Sequence, residues 1–83
     1  MRVLAQDGNV AVVQLPQRSS PALSVQGDSL SMLVKLAGSV AAQAARTGDA
    51  DLIDDAEELR ERLSDMLRVY ESTLRPRGLP LPY

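Results

Sequence analysis

Leu52-Ile53-Asp54-Asp55-Ala56-Glu57-Glu58-Leu59-Arg60-Glu61-Arg62-Leu63-Ser64-Asp65-Met66-Leu67-Arg68-Val69-Tyr70-Glu71-Ser72-Thr73-Leu74 reads as one long amphipathic helix. Leu52, Ile53, Ala56, Leu59, Leu63, Met66, Leu67, Tyr70 and Leu74 are spaced by ones, threes and fours. At roughly 100° per residue they fall within an arc of about 140°. Asp54, Glu57, Glu58, Glu61, Arg62, Asp65, Arg68 and Glu71 occupy the other side. Such a helix must bury one face, so the rest of the chain is read for what covers it.

The neighbour on the N-terminal side is a second helix, from about Leu30 to Arg46. Thr47-Gly48 stops it, with the glycine in the C′ role. Its main apolar face is Leu30, Leu33, Val34, Ala37, Val40, Ala41, Ala44 and Ala45, while Met32 and Leu36 point to roughly the opposite side. A helix apolar on two sides belongs between two neighbours; one would be helix two, the other a sheet. Gly38, Ala41, Ala42 and Ala45 are small enough to let helices approach closely. The short link at Gly48 makes the pair an antiparallel hairpin. At 1.5 Å per residue the helices are ~26 and ~38 Å long, so helix two overhangs by roughly 12 Å. The overhang carries Met66, Leu67, Tyr70 and Leu74. It is expected to cover the sheet end, meet the C-terminal tail or pack on a second copy. Arg75-Pro76 stops helix two, because the residue before proline avoids helical geometry. Residues 76–83 form an extended, proline-rich tail.

Toward the N-terminus, residues 2–6 and 10–15 read as strands about an Asp7-Gly8-Asn9 turn. Val10-Ala11-Val12-Val13-Gln14-Leu15 is the central strand, ended by Pro16. Ala22-Leu23-Ser24-Val25 forms a third, with Leu23 and Val25 on one side. Asp28 or Ser29 is the expected cap of helix one, without a full capping box. The fold is therefore α+β. A small antiparallel β-meander of two or three strands precedes an antiparallel helical hairpin. One domain covers residues 1–83: meander 1–25, helix one 29–47, helix two 50–75 and tail 76–83.

An 83-residue chain buries a modest core. Without cysteine there is no disulfide, and without cysteine or histidine no typical zinc site. The apolar stock is thirteen Leu, eight Val, one Ile and three Met, with no Phe or Trp. Oligomerisation is the remaining route to stability, and a homodimer is expected through Met66, Tyr70, Leu74, Leu81 and Tyr83. Net charge is −2, yet Asp49 to Glu61 holds seven acids and one Arg. Acids at the positive end of a helix are the plain explanation. The functional alternative is a decoy surface, at Asp51, Asp54, Asp55 and Glu58, for a basic protein such as a nuclease. No stretch reaches the ~20 apolar residues of a membrane span, and no signal peptide begins the chain, so a cytoplasmic location is expected. Eight Arg to one Lys, with ten Ala, points to a GC-rich bacterial genome.

Catalytic patterns fail on chemistry. Gly27-Asp28-Ser29-Leu30 spells the signature of the GDSL hydrolases, but that serine needs a histidine base. The aspartates near Asp49 do not follow the calcium-loop spacing. No P-loop pattern is present, though the Gly27-Asp28-Ser29 helix start is an alternative site for an anion or small molecule. Two tyrosines and no basic stripe argue against nucleic acid. No cofactor is implied. Leu79-Pro80-Leu81-Pro82-Tyr83 has a polyproline bias and one apolar edge, suited to docking on its own helices, on a mate or in a foreign groove.

Some of these points together resemble a family of short, uncharacterised bacterial proteins. They are Leu15-Pro16, then Gln26-Gly27-Asp28-Ser29-Leu30, then Glu58-Leu59-Arg60, Tyr70-Glu71, Leu74 and the Gly78…Leu81-Pro82-Tyr83 ending. That resemblance, over about residues 11–83, implies no activity. Residues 10–45 are more faintly similar to the N-terminal domain of HicB-type antitoxins. Here Pro21-Ala22 replaces a Pro-Gly, and Ser31-Met32 stand where that pattern has acids. The similarity implies a meander followed by a helix and leans toward toxin neutralisation. The expected function is a non-catalytic protein-protein interaction module, of antitoxin or immunity type, acting as a homo-oligomer. The alternative is a small-molecule or anion binder.

Overall fold

A computed structural model describes all of residues 1–83. Three strands, Arg2–Asp7 (β1), Val10–Gln14 (β2) and Ala22–Val25 (β3), precede two helices, Gly27–Ala45 (α1) and Ala50–Leu74 (α2). The sheet is an antiparallel meander in the order β1-β2-β3. Gly8, at φ +58, takes the first place of the two-residue hairpin loop, where a positive φ is required. Val3 pairs with Val13 and Ala5 with Val12, so Leu4 is the extra residue of a bulge. Across β2 and β3 the pairs are Val10 with Val25 and Val12 with Leu23. Opposed residues share a face, so these four make one apolar side. Val13, paired with Ala22, is on the other side and is the one buried residue of the sheet.

Helix α1 begins two residues earlier than expected. Its cap is the extended Gln26, which makes no side-chain cap bond. Asp28 and Ser29 lie inside the first turn, where the Asp28 carboxylate accepts from the Ser29 N–H at 2.9 Å. The aspartate thus serves the positive helix end from within. Residue 27 has no positive φ to demand a glycine; its lack of a side chain matters instead because Tyr70 of α2 lies against it. The Gln26 N–H also donates to the Asn9 carbonyl, tying the start of the helix to the hairpin turn.

The helix ends at Ala45, earlier than expected, with Arg46 as cap. Thr47 then builds the link. Its hydroxyl donates to the Ala44 carbonyl and accepts from the Asp49 N–H. Gly48 follows at φ +73, and the Asp49 carboxylate caps α2 by accepting from Leu52 N–H at 3.1 Å.

Ala41 and Ala44 of α1 pack against Ala56 and the half-buried Ile53 of α2, and Ala37, also buried, extends this seam toward Leu59 and Leu63. Of the expected small residues Gly38, Ala41, Ala42 and Ala45, Ala41 lies in that seam. The other three each follow a seam residue, so each lies 100° further round the helix. A Cβ on Gly38 would meet nothing within 4 Å.

Helix α2 ends at Leu74 with Arg75 as its cap, where Arg75-Pro76 is expected to stop it, although Arg75 itself keeps helical dihedrals. Arg75–Arg77 continue as a 3₁₀ turn, a position where the missing proline N–H costs little. Gly78, at φ +66, closes the turn: its N–H donates to the Arg75 carbonyl and that of Leu79 to the Leu74 carbonyl. The Arg77 guanidinium takes the Thr73 carbonyl at 2.7 Å. The extended tail is therefore shorter than expected. No helix is long and apolar enough to cross a membrane.

Candidate functional site

Two surfaces stand out, one charged and one apolar. Asp51, Asp54, Asp55 and Glu58 recur at i, i+3, i+4 and i+7 of α2, so the helix gathers them on one face. All four are exposed. Glu58 pairs with Arg62 at 3.8 Å, whereas Asp51, Asp54 and Asp55 take part in no ion pair. Glu57, one step round, binds the Arg60 guanidinium through Nε and Nη2 and raises its pKa. No three carboxylates of the chain converge as a cation cage.

The apolar surface is a cleft of about 870 Å³ between the sheet and α1. Val10, Leu23 and Val25 form one wall and Met32, Leu33 and Leu36 the other; Lys35 is the only charged side chain along it. Leu23 is 63% exposed, Met32 71% and Leu36 61%. A second, smaller groove of about 270 Å³ continues the band down α1, where Leu33, Leu36 and Val40 run beside Leu59 and Leu63 of α2. The expectation that the sheet covers the second apolar side of helix one is thus corrected. The sheet flanks Met32 and Leu36 but leaves them open. The signal was legible, because two apolar sides on one helix were plain in the spacing. Leu23 and Val25 as the opposite wall were not, since that depends on how the sheet is set against the helix.

Of the residues expected at an oligomer interface, Met66, Tyr70 and Leu74 recur four apart along one side of α2, and the tail brings Tyr83 back to the same helix. Met66 remains 57% exposed. Tyr70 packs its ring on the backbone of Gly27, leaving no room there for a side chain. Leu74 and Leu81 are half-buried. Tyr83 donates from its hydroxyl to Glu71 Oε2 at 2.7 Å. Desolvation on this surface, and then that hydrogen bond, push its pKa up to about 12. The tail therefore lies on its own α2.

At the start of α1, the Gly27-Asp28-Ser29 segment is in contact with the chain's own groups. The Tyr70 ring sits on Gly27, and the Asp28 carboxylate already holds one first-turn N–H.

Over its whole length, residues 1–83, the chain matches the family described as a family of unknown function, DUF6959, and it belongs to that family. No curated protein and no solved structure matches it.

Proposed function

We propose that this chain is a non-catalytic protein-interaction module. It is completed by a further polypeptide on its apolar side and open to a basic protein on its acidic side. The observation that carries this reading is the surface the fold leaves uncovered. A compact monomer of 9.0 kDa exposes about 4,850 Å²; this chain exposes 6331 Å². Only 7 of 83 residues are buried, and none of the large side chains is fully so. Contiguous open apolar surface of this kind marks an interaction site.

Residue chemistry supports a binding role. Neither histidine nor cysteine is available as a base or soft nucleophile. Three unpaired aspartates on one exposed helical face suit a basic partner. The faint likeness to HicB-type antitoxin domains favours a toxin-neutralising or immunity role in a bacterial cytoplasm.

The test is cross-linking in the native host with the wild-type chain and with a variant carrying Asp51→Lys, Asp54→Lys, Asp55→Lys and Glu58→Lys. The expected outcome is one stoichiometric, basic adduct that the variant loses while its circular dichroism is unchanged. The absence of any heterologous adduct from the wild type would remove the acidic face from the reading.

A further inference from the structure

We propose that the sheet–α1 cleft is the seat of a second copy of this chain, docked about a two-fold axis so that the Met32–Leu36 ridge of each copy enters the cleft of the other. The inference rests on the interaction reading and names the polypeptide that completes the apolar side.

Area is the first argument. The chain exposes about 1,500 Å² more than a compact monomer of its mass. Covering that much on each of two copies would bury about 3,000 Å² in total, within the range of obligate homodimers. The radius of gyration agrees. It is 15.6 Å, against about 12 Å for a compact chain of this length. The 25-residue helix α2 and a sheet that makes few contacts with the helices both contribute to this excess.

Shape is the second argument. An isologous interface needs a patch that fits itself. Here an apolar ridge, Met32 and Leu36, stands beside an apolar trough walled by Leu23 and Val25. Ala37, Ala41 and Ala44 face α2 and lie about 100° round α1 from Met32, Leu36 and Val40. The ridge is therefore free to pack outward without disturbing the hairpin seam.

Charge is the third. No carboxylate lines the cleft, and its one charged residue is Lys35. Apart from Lys35 the lining is polar-neutral or apolar, which suits the same apolar face of a second copy provided that the long Lys35 side chain of each copy reaches solvent at the rim. The acidic face of α2 is left outside the contact.

Folding is the fourth. Four alanines and one valine are the buried apolar core of the single chain. So small a core is marginal unless an interface extends it, and a second copy is always present where the chain is made.

The experiment is sedimentation equilibrium of the purified full-length chain at micromolar concentration. It is paired with photo-cross-linking of an isotopically light and heavy mixture containing photo-methionine. That label occupies Met1, Met32 and Met66 with little change of shape. The expected result is twice the chain mass, with light–heavy adducts from Met32 to peptides containing Leu23, Val25 or Leu36. A monomer would overturn the proposal, also if it takes up an apolar dye in the cleft. So would a dimer whose adducts arise from Met66 alone, since helix α2 would then be the interface. Either failure leaves the heterologous-partner reading to its own host cross-linking test.

Discussion

Gly27 and Tyr70 show how one residue choice sets the position of an element. A Cβ built on Gly27 would fall within the Tyr70 ring, so Gly27→Ala must push the ring or the first turn of α1 aside. The expected loss is about 1–3 kcal/mol by denaturant unfolding, partly recovered when Tyr70→Leu accompanies it. In the sequence Gly27 reads as a turn former; its role as the bare patch under an aromatic ring 43 positions away was not legible there. Tyr83 gives a pH signature. Its pKa is raised from 10.0 to about 12 by desolvation and by its bond to Glu71. A value raised on folding means that tail docking adds stability in full below pH 10, lost as pH rises toward 12. In a Tyr70→Phe background, ultraviolet titration should place the Tyr83 midpoint near 12, and Glu71→Ala should lower it only part of the way, since desolvation is the larger cause.

At the scale of elements, the α1–α2 seam depends on small side chains at one period. Ala41, at 4% exposure, leaves no space for growth. Ala41→Leu should therefore cost about 1–3 kcal/mol in thermal or urea unfolding. Gly38→Ala, three residues earlier, should instead stabilise by about 0.5–1 kcal/mol, because open space surrounds it and alanine holds a helix better than glycine. Both residues read alike in the sequence, as small residues in a helix. Their opposite consequences follow from which side of α1 meets α2. The hairpin itself was readable from Gly48, Asp49 and the spacing from Leu52 to Leu74. The caps were less so, since Gln26 rather than Asp28 or Ser29 begins α1, and a 3₁₀ turn over Arg75–Arg77 follows α2.

For the whole molecule, stability and assembly are expected to be one equilibrium. If a second copy completes the core, the melting temperature should rise with protein concentration over a hundredfold range. A melting temperature independent of concentration would separate folding from association. The sequence by itself determined the α+β order, the central place of β2, the antiparallel hairpin and the crowding of acids on one helical face. Each is set by neighbours along the chain: alternation, helical period, glycine turns and caps. Only the tertiary structure decided that the sheet stands away from α1, that Tyr70 and Tyr83 are held within the chain, and that the open apolar surface lies at Leu23, Val25, Met32 and Leu36. The tyrosine contacts join residues 43 and 12 positions apart, and the open surface depends on the angle between sheet and hairpin. That angle is a balance of contacts between residues far apart in sequence, and no local pattern encodes it.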